Sequence, residues 1–189
     1  MSDSTLTKRA IASALKELCR TKSFAKISIA DITELCGLNR QTFYYHFQDK
    51  FELLNWVYYN EGFLPATDGI TFDNWDKKLL SLLQKMTEEK QFYSNTIKCQ
   101  EEVFTEYLYQ IANQLFYEAA ELLDAKKELS EDSKKFFAQF NAFGICGVVI
   151  AWAKGGMKIP PEKVASNLKS LVANSKQLAV DRFSMKGLN

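Results

Sequence analysis

Only three prolines, Pro65, Pro160 and Pro161, interrupt a chain of 189 residues whose apolar side chains otherwise recur every three or four positions. Proline is the residue a helix interior tolerates least, and that spacing gathers apolar groups on one face of a 3.6-residue turn. The pattern predicts an all-α fold. Across 5–19, Leu6, Ala10, Ile11, Ala14, Leu15 and Leu18 form the apolar stripe of a first helix, with Lys8, Arg9, Lys16 and Glu17 off it. Ser28 stands three residues before Asp31, a capping-box-like start for a second helix over Ile29–Leu35. Gly37 follows where a left-handed backbone costs glycine least, and Asn39 can cap a third helix. Asp49 precedes a fourth, opened by Lys50 and carrying Phe51, Leu54, Val57 and Tyr58. The stretch 62–69, with Pro65, reads as a loop. Helices are then expected near 73–86, 89–98, 99–125, 131–154 and 161–183, with breaks at 126–128 and 155–160. The expected division is a three-helix head over 1–50, a helical regulatory and dimerisation body over 51–183, and a tail over 184–189.

Charge is distributed unevenly between these parts. The whole chain carries a formal net charge of +1, so a nucleic-acid role cannot rest on overall basicity. The first fifty residues hold eight Lys or Arg against five acids, however, and the remainder holds 16 against 18. Neither a signal pattern nor an uninterrupted apolar run of bilayer length occurs, so a cytoplasmic protein without a membrane role is expected. Cys19, Cys36, Cys99 and Cys146 are widely separated, and His46 is the only histidine. Reduced thiols and no metal or other cofactor are therefore expected. Catalysis fares poorly as well, since no phosphate-binding glycine loop or nucleophile elbow occurs.

The run 27–52, ISIADITELCGLNRQTFYYHFQDKFE, places a short helix, a glycine turn and another short helix in immediate succession, the spacing of a helix-turn-helix. Phe43 and Phe47 are i, i+4 neighbours that can pack inward on Ile32, Leu35 and Leu38. Arg40, Gln41, Tyr44 and Tyr45 then fall on the opposite side, where folding requires none of them. Arg and Gln are suited to bidentate contact with guanine and adenine edges, which makes Arg40 and Gln41 candidate base readers. Thr42, Tyr45, His46 and Lys50, joined by Ser28 at the start of helix two, suit phosphate oxygens. His46 by itself would be as consistent with a hydrogen-bonded surface position.

The run from Ser28 to Glu52, above all LNRQTFYYHFQDK, resembles the DNA-binding domain of the TetR family. The resemblance covers about 50 of the 189 residues in detail, together with the general plan of a helical body. It implies that Arg40, Gln41 and Tyr44 face bases and that Thr42, Tyr45, His46 and Lys50 face phosphates of operator DNA. The longer run NRQTFYYHFQDKFELLNWVYYNEGF, with Trp75 and Gln91-Phe92-Tyr93, is similar to the branch of that family containing the dihydroxyacetone-kinase operon activator. In that branch the resemblance implies control through a partner protein rather than through a small molecule.

Within the body, residues 136–152 are nearly uncharged, too short for a membrane span, and include Ala142, Gly144 and Gly147, which permit close helix approach. Paired with the amphipathic segment through Val164, Leu168, Leu171, Val172 and Leu178, they predict a four-helix interface between two copies. Its candidate residues are Phe140, Gly144, Gly147, Val148, Trp152, Leu168 and Leu171. Trp56, Tyr59, Phe63, Phe92, Phe104, Tyr107 and Phe116 offer enough aromatic surface to line an effector pocket, or to form solid core. The expected function is a dimeric regulator whose body, on binding an effector or partner, shifts the fourth helix and the spacing of two heads. The alternative is a helical interaction module without DNA binding.

Overall fold

The computed structural model describes residues 3–124, 127 and 129–186, with side chains in the last helix as far as 173. Every regular element among the described residues is helical. The head comprises α1 (Asp3–Leu18), a 3-10 turn (Phe24–Lys26), α2 (Ile29–Leu35) and α3 (Arg40–His46). The body continues with α4 (Lys50–Val57), a π turn (Tyr58–Phe63), α5 (Leu64–Thr67), α6 (Trp75–Glu88), α7 (Lys90–Cys99), α8 (Glu101–Leu123), α9 (Glu131–Lys154) and α10 (Pro161–Lys186). The boundaries of α6 to α8 lie within about two residues of those expected, with single-residue breaks at Glu89 and Gln100. Most of the break expected at 126–128 lies outside the described residues, as do positions 187–189 of the expected tail; α10 continues through 184–186.

Local chemistry in the head follows the sequence closely. The Ser28 hydroxyl accepts the Asp31 amide at 3.2 Å while the Asp31 carboxylate accepts the Ser28 amide at 2.7 Å, closing the capping box. Gly37 has φ +68°, and the Asn39 side chain accepts the Thr42 amide at 2.7 Å, so the turn is made and the third helix capped as expected. Ile11, Leu15, Phe24, Ile27, Ile32, Phe43 and Phe47 fill the head's core. Leu6, Ala10 and Leu35, expected to point inward, are exposed. A seven-residue α2 buries a single row, and Ile32 with Thr33 supplies it.

The loop expected over 62–69 is helical as far as Thr67. The Leu64 amide reaches back five residues to the Tyr59 carbonyl, so the chain crosses Pro65, which has no amide to give, by widening one turn. Gly62 is closely approached there: a Cβ at that position would lie 3.1 Å from the Tyr93 hydroxyl, which would have to give way by a few tenths of an ångström. The loop proper begins at Asp68 and turns at Gly69, φ +64°.

Beneath the π turn the rings form a filled stack. Tyr58 and Tyr93 lie parallel at 6.0 Å, and Phe104 sits 5.2 Å from Tyr58 and 4.9 Å from Phe63. Burial pushes both phenols well above the ordinary tyrosine range, so both are neutral. Burial likewise pushes the Cys19 thiol up to about 12 and the Cys146 thiol up to about 11, leaving each a small neutral core residue. Further along, α9 packs on α8, whereas α10 lies mainly against α6, tied by Lys169 to Asp76 at 2.6 Å and Gln84 to Glu162 at 3.0 Å. The 24-residue α9 is long and apolar enough to cross a bilayer by composition, exceeding the short apolar run read from sequence. It is nonetheless a core helix with one uncovered face, since Ala138, Ala142, Ile145, Cys146 and Val149 are buried within the chain.

Candidate nucleic-acid interface

Helix α3 is short because Asn39 caps it on one side and Phe47, extended at φ −144°, ends it on the other. With Phe43 and Phe47 buried, the remaining positions divide by exposure. Arg40, Gln41 and Tyr44 are exposed, Tyr44 at 57%, and Tyr45 stands 83% exposed. Rows i, i+4 pair Arg40 with Tyr44 and Gln41 with Tyr45, so cation, amide and two phenols share one outward surface. Its stiffness comes from ring contacts: Tyr44 packs edge-on to Phe43 at 5.8 Å, and Tyr45 edge-on to His46 at 5.0 Å. Ordering such side chains before a ligand arrives lowers the entropy lost on binding.

The residues expected at phosphates are placed less uniformly. His46 and Thr42 are half-buried at the margin of the α3 surface, and the Thr42 hydroxyl is held at 3.1 Å by Asn39. Ser28 is exposed at the start of α2, with its hydroxyl in the capping box. Lys50 departs from the expectation. Its ammonium donates to the carbonyls of Phe24 at 2.9 Å, Ala25 at 3.0 Å and Ile27 at 2.8 Å, and it lies 5.0 Å from the Phe24 ring centroid. An ammonium has three hydrogens, and here all three are spent on the 3-10 turn. Lys50 therefore fastens α4 to the head rather than reaching a phosphate. Another cation takes a place near α3 instead: Lys8 of α1 lies 5.5 Å from the Phe47 ring centroid.

Electrostatics around α2 give one pH-dependent element. The Asp31 carboxylate accepts from the Lys22 ammonium at 2.6 Å and from the amide and hydroxyl of Ser28, and these donors, Lys22 foremost, hold it below the usual carboxylate range. Its contribution to head stability is complete above the ordinary carboxylate pKa of about 4 and is lost as pH falls through the lowered value. Thermal unfolding followed from pH 7 to pH 2 should therefore show a steeper acid loss for the parent chain than for Asp31→Asn.

The other two expected constellations are redrawn by packing. Of the effector-pocket residues, Phe63 and Phe116 line an apolar cavity of about 40 Å³, together with Trp75, Leu79, Leu108 and Leu115. Ligand pockets measure roughly 300–1,000 Å³, so this void admits no drug-sized molecule. Phe92 and Phe104 belong to the filled stack, Trp56 turns towards Phe47 of the head at 6.1 Å, and Tyr59 pairs with Tyr107 at 5.8 Å near the surface. Edge-on and tilted rings interlock, so of the two alternatives these residues follow that of core. Of the dimer residues, Trp152 and Leu168 are buried within their own chain, the Trp152 indole donating to the Ile159 carbonyl at 2.8 Å. Phe140, Gly144, Gly147, Val148 and Leu171 are exposed, beside Phe136 and Phe143 on the same uncovered face of α9.

Comparison with known proteins agrees with this layout. Residues 11–57 match the family described as bacterial regulatory proteins, tetR family, and residues 73–174 match a transcriptional regulator C-terminal region. The chain is 30% identical over 152 residues to the HTH-type dhaKLM operon transcriptional activator DhaS of Lactococcus lactis subsp. lactis (strain IL1403), covering 78% of this chain and 80% of that one. The solved structure of the dihydroxyacetone kinase operon activator DhaS superposes with a TM-score of 0.73 at 26% identity, over 92% of this chain and 98% of that one. Two more distant structures share the fold. They are Thermus thermophilus FadR, a TetR-family repressor in complex with lauroyl-CoA (TM-score 0.53, 16% identity, 88% and 93% covered), and Pseudomonas aeruginosa NalD, the secondary repressor of a multidrug efflux pump (0.59, 17%, 91% and 97%).

Proposed function

Since the chain belongs to the TetR family of bacterial transcriptional regulators, we propose that two copies present paired α3 helices to successive major grooves of operator DNA. The observation that carries this reading is the outward row of α3, where Arg40, Gln41, Tyr44 and Tyr45 are exposed although the head's core has no use for their polar groups. Arg40, Gln41 and Tyr44 contact base edges; Ser28, Thr42, Tyr45 and His46 hold the phosphates on either side. Lys8 adds a cation beside them. The functional division falls after residue 50, with 1–50 reading DNA and 51–183 carrying dimerisation and control. The uncovered apolar face of α9, continued by Leu171 of α10, supplies the two-fold contact. The filled aromatic stack favours a partner protein over a small-molecule effector, and the similarity to an operon activator makes activation the preferred outcome of control. No catalytic role is assigned, and the reading places the protein in the cytoplasm, where its DNA is.

Replacing Arg40 tests the assignment. One bidentate arginine contact discriminates by about 1–3 kcal/mol, and a dimer loses two such contacts. Arg40→Ala should therefore lower specific operator affinity by about 30-fold or more while leaving weak binding to unrelated duplex almost unchanged. Fluorescence anisotropy with both duplexes checks this. An equal loss on both would place Arg40 at a phosphate instead, and unaltered binding would remove α3 from the interface.

A further inference from the structure

The segment joining α1 to α2 is gripped from two directions. Lys50 holds three of its carbonyls from α4, as described above. From the body, the Asn95 amide of α7 holds it again: its Oδ1 accepts the Phe24 amide at 2.9 Å, and its Nδ2 donates to the carbonyls of Cys19 at 3.0 Å and Lys22 at 2.8 Å. One side chain of the body thus closes three hydrogen bonds onto backbone of the head. A few residues earlier, Lys16 of α1 pairs with Glu61 of the π turn and, at 3.1 Å, with Glu89 at the α6–α7 break. Burial pushes Lys16 down and Glu89 up, yet the ion pairs prevail: Glu61, then Glu89, keep Lys16 above its ordinary value, and Lys85 with Lys16 keeps Glu89 below its own, so both stay charged.

Elsewhere α7 packs on α8 and α9, and two of its side chains, Tyr93 and Thr96, meet the π turn. Thr96 accepts the Tyr58 hydroxyl at 2.7 Å, and Tyr93 stacks on Tyr58 with its own hydroxyl buried and without a partner beside Gly62. Asn95 at the head and Tyr93 at the wide turn thus share one ten-residue helix.

We propose that Asn95 of α7 is the positioning residue that fixes the head's orientation for DNA. The inference rests on the regulator reading and adds to it the side chain that sets the head against the body: losing the Asn95 grip frees the α1–α2 segment, and α3 behind it, to turn. Backbone carbonyls and an amide of the head are the atoms gripped, so the coupling acts on the head as a rigid unit. A polar Asn on a helix whose neighbours Phe92, Tyr93, Thr96 and Ile97 are all buried was the signal available in the sequence.

Spin labels at Glu34→Cys in α2 and Glu118→Cys in α8, both exposed, measure the head-to-body distance. The background carries Cys36→Ser and Cys99→Ser, and the labelled chain is diluted with unlabelled protein so that the intrachain distance is read. The parent should give one narrow distribution. Asn95→Ala should broaden and displace it, while Ser28→Ala, which weakens the head through its cap without touching α7, should leave it narrow. Should Asn95→Ala fail to fold, Asn95→Asp serves: it keeps volume and acceptor but sets a carboxylate against the Cys19 and Lys22 carbonyls, and should displace the head further. An unchanged distribution in a folded Asn95 variant, or an equal broadening by Ser28→Ala, would overturn the proposal. No DNA enters the measurement, so its failure and a failure of operator binding are separately visible.

Discussion

Phe140→Asp is expected to yield a folded monomer that has lost operator binding. Phe136, Phe140 and Phe143 are 70%, 67% and 63% exposed on α9, with Gly144, Gly147 and Val148 beside them and Leu171 on α10. Monomeric proteins seldom leave so continuous an apolar surface in water, whereas a two-fold partner removes it from solvent on both copies at once. An aspartate at the centre of that face must be desolvated without a counter-charge, twice in each dimer, because symmetry repeats it. Folding is spared, since Phe140 contributes little to its own chain's core. A monomer offers one α3 to one half-site and half of the phosphate contacts, and binding should fall towards the nonspecific regime, on the order of a thousand-fold weaker. Sedimentation equilibrium and anisotropy together check both halves of the expectation. A dimer that survives Phe140→Asp would move the interface off α9.

Lys50→Met should produce a large stability loss in the head. A methionine keeps the aliphatic stem but abandons the carbonyls of Phe24, Ala25 and Ile27 together. Hydrogen bonds to a charged group contribute about 1.5–3 kcal/mol each, and even with partial recovery by water the loss should reach about 3 kcal/mol. A domain of ordinary stability has only about 5–15 kcal/mol in all, so the head should unfold well below the body. Hydrogen exchange would locate the loosened amides in α1 to α3. A melting curve identical to that of the parent, accompanied by a reduced salt dependence of DNA binding, would instead restore Lys50 to a phosphate.

Whatever depended on local chemistry was legible in the sequence. Ser28 with Asp31, the positive φ of Gly37 and the Asn39 cap each involve neighbours within three residues, so spacing alone determines them. Phe43 and Phe47 against the exposed row of α3 needed only the helical period. What failed was knowledge of which surface meets which. Gly62 and Pro65 carry the composition of a loop, yet Gly62 is closely approached by the Tyr93 hydroxyl from another helix and Pro65 is passed by a π turn. Trp152 and Leu168 share the helical rows of an interface, but the Ile159 carbonyl and α6 claim them inside the chain. Lys50 was a cation near DNA until three carbonyls more than twenty residues away were seen to surround it. The aromatic residues of the body were equally consistent with lining and with core, because periodicity reports a face and not the distance to the opposite wall. Asn95 lay unnoticed for the same reason: all its partners are 71 or more residues distant in the chain.

Recognition through α3, with the head positioned by Asn95, presupposes that the dimer binds duplex DNA. The most direct measurement is the affinity of the unmodified protein for the duplex upstream of its own coding region, taken from 50 to 200 mM salt beside a scrambled duplex of equal length. Binding that is tighter on the upstream duplex and falls linearly on a log–log scale, by about 0.9 for each phosphate neutralised, is the expected result. Equal affinity for both duplexes, or none on either at low salt with the dimer intact, would contradict the assignment of α3 to operator recognition.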